Sequence, residues 1–245
     1  MFGQTGPQLF EDFMVCSSNE EAVAAARAVA STAPQAPNPL VILGAPADGK
    51  THLVRALVTA FRRQHPGVST TVMTTEWLER IWRRAVVEQN LRAWQVELSR
   101  LGLLVIEDVQ FMDRRRSWSP LLSCVLQSLH HRGGFVVLTR DAPSATAEPP
   151  FPAGARTVRL HAPDFDLRAA VARRAAASVG LRIPDDVAEF IAGRCRNLRQ
   201  VQGAVMRVHA STALVGRGAK ASPEYTKLEF QPWARSPEHS ILKLR

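Results

Sequence analysis

The residues Gly44-Ala-Pro-Ala-Asp48-Gly49-Lys50-Thr51 match the spacing G-x-x-x-x-G-K-[ST] without a gap. The chemistry of such a loop is phosphate binding. Its glycines let the backbone approach the ligand, and successive N–H groups and the following helix N-terminus face the negative charge. Lys50 should reach the β/γ-phosphates and the Thr51 hydroxyl should hold Mg²⁺, so the site calls for ATP or ADP with Mg²⁺. The choice of cation supports this. Arginine supplies 27 of the 31 basic residues, and Lys50 is the only lysine in the first 219 positions. A compact ammonium suits a phosphate cradle better than a guanidinium fork. The expected nucleotide-binding set is Gly44, Asp48, Gly49, Lys50, Thr51 and His52.

A second constellation stands 57 residues beyond Lys50, where the apolar run from Gly102 to Ile106 ends in Glu107-Asp108. Acids at a strand end facing phosphates divide two tasks. Glu107 would join Thr51 in the metal shell, and Asp108 would polarise an attacking water. Thr139, at the expected end of a later strand, either senses the γ-phosphate or caps that strand.

Positioning these residues requires alternating strands and helices. Apolar runs predict strands at 40–43, 69–74, 102–106, 134–139 and 156–160, and helical periodicity predicts helices at 52–61, 75–95 and 118–132. Arg80, Arg83 and Arg84 with Trp77 and Trp82 form a second basic and aromatic cluster, but Trp77 and Ile81, four apart in the second helix, fit a core face better. Alternation of this kind makes a parallel sheet wrapped by helices. From Asp164 the pattern becomes helical, with helices to about Val179, from Pro184 to about Cys195, and from Arg199 to Ala213. The expected organisation is a nucleotide-binding core over 1–163, a helical lid over 164–215 and a tail over 216–245.

Composition narrows the function classes. A length of 245 residues and a mass of 27.0 kDa fit one α/β domain with a small appendage, and 46% apolar with 22% charged residues exclude a disordered or fibrous chain. No run approaches a membrane span, and the N-terminus does not read as a signal peptide, so a soluble cytoplasmic protein is expected. Cys16, Cys124 and Cys195 lie far apart with no CxxC spacing, which argues for packing and against disulfides or zinc. The net charge of +9 concentrates in the second half. It fits either a polyanion partner or a solvated face. Arg114-Arg115-Arg116 with Trp118 two positions on form the sharpest candidate for gripping single-stranded DNA by phosphate contact and stacking.

Three strings together carry a family resemblance: 38–44 running into Gly49-Lys-Thr-His-Leu53, then Leu104-Val-Ile-Glu-Asp-Val-Gln-Phe111, then Leu138-Thr-Arg-Asp141. In this order they closely resemble the AAA+ ATPase domain of the DnaA replication-initiator family. Phe10-Glu-Asp-Phe13 and Val15 to Asn19 look like that family's leading segment, which helps form the adenine pocket. Asn197-Leu-Arg199 resembles the sensor 2 segment, placing Arg199 on the nucleotide phosphates. The resemblance implies a P-loop AAA+ fold, a three-layer αβα core with a parallel sheet followed by a small all-helical lid. It also implies a role in bacterial chromosomal replication through nucleotide-dependent association with the initiator, with itself, or with DNA.

Three departures qualify the expected activity. The family usually has Asp-Asp where Glu107-Asp108 stands, and Mg²⁺ tolerates poor octahedral geometry badly. Its arginine finger is replaced by 148–154, with Arg156 the nearest substitute, and loss of a finger can cost about 10³ to 10⁵ in turnover. Too few residues follow Val215 for the family's helix-turn-helix, so major-groove reading is not expected. Weak ATPase activity at most is expected. The alternatives are a hydrolysis-deficient AAA+ adaptor scaffold and a helicase loader-like ATPase. Gln8-Leu9-Phe10 only partly echoes a clamp-binding peptide, and clamp binding is not predicted.

Overall fold

The computed structural model describes residues 8–112, 125–126, 128–129, 132–142 and 154–215. The chain divides into two compact units, 1–162 and 163–245. In the first, five parallel strands, β1 (Leu40–Gly44), β2 (Thr70–Thr74), β3 (Leu103–Glu107), β4 (Phe135–Asp141) and β5 (Arg156–Leu160), form one sheet. Their order is β2-β3-β4-β1-β5.

Alternation along the strands builds two cores. Leu40, Ile42, Leu103, Val105, Val137 and Val158 face one way, against α1 (Glu20–Ala30) and α2 (Lys50–Gln64). Val41, Leu43, Leu104, Ile106, Val136 and Leu138 face the other, with Leu78 of α3 (Thr75–Val87) and Leu98 of α4 (Leu91–Ser99). The result is three layers. Each fully buried leucine or isoleucine contributes about 1.5–3 kcal/mol relative to exposure, so the apolar strands set the sheet rigidly. Register then brings functional positions to one edge: Gly44 lies opposite Asp141 and Leu160, and Thr74 opposite Glu107.

The helix expected over 75–95 is two helices. After Val87 the backbone turns through Gln89 at φ 55°, and the Asn90 N–H closes the turn on the Ala85 carbonyl at 2.8 Å. Trp82 and Trp94 both pack toward the same core, so the apolar periodicity continues across the break and hides it. Trp77 departs from its expected core role. It is half exposed, with the Arg80 guanidinium over its ring. Strand β4 runs two residues further than expected, which puts Thr139 inside the strand instead of at its end. Helix α1 was not among the expected elements, because its alanine-rich face gives little periodic contrast. The expected helix at 118–132 lies mostly outside the described residues, as do Cys124 and the segment 216–245.

The second unit is a three-helix cluster of α5 (Phe165–Ser178), α6 (Asp185–Arg194) and α7 (Leu198–Val215). Asp164 caps α5 through its carboxylate, which accepts the Leu167 N–H at 2.7 Å. Ala172 and Ala176 pack close against Val187, Ala188 and Ile191 of α6 and Val201, Ala204 and Val205 of α7. Cys195 is buried in this core, and burial pushes its thiol up, as suits a packing residue. Among the described residues no helix is long and apolar enough to cross a membrane.

Candidate nucleotide-binding site

The loop between β1 and α2 is shaped by its sequence. Gly49 precedes α2 at φ 103°, in the left-handed region that glycine enters without strain, and Ala47 holds φ 72°. A Cβ at Gly44 would lie 3.2 Å from both Cβ and carbonyl oxygen of Leu160, so glycine lets β1 and β5 close together there. No side chain caps the start of α2 and no acid occupies its first turn, which leaves its N–H groups and positive dipole end available.

Lys50 is buried, and its ammonium spends all three donors locally. Nζ donates to the carbonyls of Gly44 at 2.9 Å and Ala45 at 3.0 Å and to Asp141 Oδ1 at 2.8 Å. Asp141 was not among the expected site residues. It is held in turn by Gln110, whose Nε2 donates to Asp141 Oδ2 at 3.1 Å while its Oε1 accepts the Asp141 N–H at 3.2 Å. Gln110 Nε2 also reaches Asp108 Oδ1 at 3.4 Å. A chain of contacts thus joins Lys50, Asp141, Gln110 and Asp108. The sequence signalled only an acid just past an expected strand end; its register opposite Gly44 comes from the pairing of β1 with β4.

Asp48 lies under the loop and accepts the Ala45 N–H at 2.7 Å. Burial raises its carboxyl above the ordinary range, opposed by that hydrogen bond and by the charges of Lys50 and His161, while Asp141 adds to the rise. The folded state therefore holds this proton more tightly than the unfolded chain. Stability is fully present below the ordinary carboxylate value and declines as pH rises through the raised one. Asp48→Asn keeps an acceptor for Ala45 and removes the charge. Thermal melts across that window should show a flatter pH dependence than wild type, and an unchanged slope would mean that Asp48 does not carry it.

Thr51 lies close enough to Glu107 for its hydroxyl to lower the Glu107 carboxyl. Glu107 Oε1 is buried and has no hydrogen-bond partner. Burial is the main cause that raises the Glu107 carboxyl, with the Asp108 charge adding to it and the Thr51 bond and Arg55 opposing it. A hydroxyl beside an orphaned carboxylate oxygen is the donor set Mg²⁺ takes when phosphates complete its shell. Among the described residues no cluster of three His, Cys, Asp or Glu side chains could hold a metal unaided.

The remaining expected residues have definite surroundings. Thr139 is buried, and its hydroxyl accepts the Asp108 N–H at 3.1 Å, so it braces the acid pair instead of opening on the crevice. The His52 ring meets Phe13 edge-on at 5.2 Å. Phe13 also lies beside Gly49, which brings the leading segment to the loop. Asn19 pins that segment, donating to the Met14 carbonyl and accepting the Cys16 N–H. Arg199 is exposed in the first turn of α7, within the second unit. There Gln200 N–H donates to Asn197 Oδ1 and Arg196 N–H to Gln200 Oε1, two bonds that fix the turn. Arg156 begins β5 opposite Leu40, at the other end of the sheet from the loop, and pairs with Glu21. Arg114, Arg115 and Arg116 lie outside the described residues.

A five-stranded parallel sheet carrying a phosphate-type loop after its first strand and acids after its third defines a P-loop domain of the AAA+ class. The chain belongs to the bacterial DnaA ATPase domain family, whose model matches residues 6–148. It is 30% identical over 212 residues to the chromosomal replication initiator protein DnaA of Corynebacterium jeikeium, covering 84% of this chain and 36% of that relative. A second such initiator, from Thermus thermophilus, is 31% identical over 215 residues, covering 84% of this chain and 49% of its own. The chain thus spans less than half the length of these curated relatives. Among solved structures it resembles domain III of the Thermotoga maritima replication initiation protein DnaA, with a TM-score of 0.79, 24% identity, and 94% of this chain and 98% of that one covered. It also resembles a replication initiator DnaA bound to AMPPCP and single-stranded DNA, with a TM-score of 0.72, 17% identity, and 82% and 64% covered. At these identities the structural likeness defines the fold.

Proposed function

We propose that this chain binds ATP and ADP with Mg²⁺ in the Lys50 loop and acts in the cytoplasm, in the initiation or regulation of bacterial chromosomal replication. One observation carries the reading: a buried lysine held on its own loop carbonyls, with Glu107, one of whose carboxylate oxygens is buried without a partner, close to Thr51. The family membership supports it, and the AMPPCP-bound relative shows that the fold accommodates a nucleotide in another protein.

In this reading Gly44, Asp48, Gly49 and His52 shape the cradle, Lys50 meets the β/γ-phosphates, and Thr51 and Glu107 hold the metal. Mg²⁺, when bound, neutralises charge on the phosphates. Asp108 orients water. Arg199 contacts the phosphates from a lid formed by 164–215, with 1–163 as the core and 216–245 as a tail. The nucleotide would fix the angle between core and lid and so select the surface offered to the replication initiator or a second copy of this chain. Single-stranded DNA would be gripped through Arg114, Arg115 and Arg116, without a membrane partner.

Hydrolysis is slow at most, because 148–154 carry no arginine where the family's finger stands and Glu107 replaces its usual Asp. The same departures favour the second reading, a hydrolysis-deficient adaptor that binds nucleotide without turning it over. Titration with fluorescent ATP and ADP, with and without Mg²⁺, tests the proposal. Saturable binding that tightens with Mg²⁺ is the expected result. No binding of either nucleotide would leave only a scaffold.

A further inference from the structure

Thr75 opens α3 directly after β2, and its side chain is buried although it carries a hydroxyl. Helix capping does not explain that burial. The cap of α3 is Thr74, whose own hydroxyl accepts the Trp77 N–H at 3.3 Å. The Thr75 hydroxyl turns instead toward the end of the neighbouring strand, where its one hydrogen is shared between the carbonyls of Glu107 and Asp108, each 2.9 Å from Oγ1.

Those two carbonyls flank a strained point. Asp108 has φ 61°, a left-handed conformation that a residue with a side chain keeps only when its surroundings hold it. Strand β3 lies between β2 and β4, and each neighbour contributes one hydroxyl to the turn. Thr75 follows β2 and takes the carbonyl side, while Thr139 of β4 accepts the Asp108 N–H. With three main-chain groups fixed in this way, the directions in which Glu107 and Asp108 leave the strand are fixed as well.

We propose that Thr75 is a positioning residue for the acid pair: its hydroxyl sets the turn that aims Glu107 beside Thr51 and Asp108 beside Gln110. This role rests on the reading of the Lys50 loop as a nucleotide site. It makes Mg²⁺-dependent nucleotide binding sensitive to Thr75, whereas Mg²⁺-independent binding, which relies on Lys50 and the loop N–H groups, is not.

The test compares the full chain with Thr75→Val, which keeps the shape and loses the hydroxyl, and Thr75→Ser, which keeps the hydroxyl. Fluorescent ATP is titrated with Mg²⁺ and with EDTA, and folding is followed by thermal melting. Thr75→Val should lose about tenfold in affinity with Mg²⁺, the scale of losing a partner that orients a metal ligand. It should match wild type in EDTA, and Thr75→Ser should restore the Mg²⁺ response. If Thr75→Val does not fold, Thr75→Ala is read in its place. Wild-type affinity in the Val variant, or equal losses with Mg²⁺ and EDTA, would overturn the role. A wild-type chain that binds ATP under neither condition would instead overturn the nucleotide reading beneath it.

Discussion

Lys50→Ala should weaken ATP binding by about a hundredfold or more, since a charge-assisted hydrogen bond contributes about 1.5–3 kcal/mol and this ammonium can make several to one triphosphate. The side chain is buried at the mouth of its loop and already held by three acceptors, so little ordering cost remains when phosphate replaces them. Stability should change far less. Asp141 loses its cation but is partly exposed and keeps both contacts to Gln110. A loss of about 1 kcal/mol, or 2–4 °C in melting temperature, is expected at this chain length. Lys50→Arg should not rescue binding, because a planar fork cannot occupy the space between the Gly44 and Ala45 carbonyls as a compact ammonium does. Titration and melting together decide it. Unimpaired ATP binding in a folded Lys50→Ala chain would remove the phosphate from this loop.

Much of the fold was legible because strand and loop signals are local. The all-apolar runs at 40–43 and 103–106 can only be buried on both faces, and the Gly49-Lys50 spacing fixes a turn whose backbone demands are known in advance. What escaped was set by contacts between elements. The break at Gln89 leaves no trace in the apolar pattern, because Trp82 and Trp94 serve one core from two helices. Asp141 becomes the partner of Lys50 only through the pairing of β1 with β4, and 91 positions separate the two in sequence. Thr75 looks like any residue at the start of a helix until the pairing of β2 with β3 brings it to the acid pair. Thr139 was singled out for a strand-end role, yet the true length of β4 turns its hydroxyl onto Asp108. Arg156 fell within a correctly placed strand, and its place opposite Leu40 and its pairing with Glu21 come only from the register of β1 with β5 and the contact of that strand with α1.

Glu107→Gln should separate stability from ligand binding in opposite directions. The carboxyl is raised mainly by burial and further by the charge of Asp108, so the folded chain holds its proton more tightly than the unfolded one. In the ligand-free protein the contribution of the neutral form is present below the ordinary glutamate value and lost as pH rises through the raised value. A neutral amide escapes that loss. The variant should melt about 2–4 °C higher near neutral pH, equivalent to about 1 kcal/mol and kept modest because the group is only half buried, with a flatter pH dependence in the same window. Mg²⁺ should then add little to its ATP affinity, a loss of about 10- to 100-fold against wild type, because an amide oxygen beside Thr51 lacks the charge the cation needs. Glu107→Asp should retain the Mg²⁺ effect, since the acid pair usual in this family is restored. A carboxylate raised by burial with one oxygen unpartnered is costly to the fold, and its neutral isostere separates that cost from any role in holding Mg²⁺. A Gln variant less stable than wild type, with its Mg²⁺ response intact, would make Glu107 a structural residue and move the metal elsewhere.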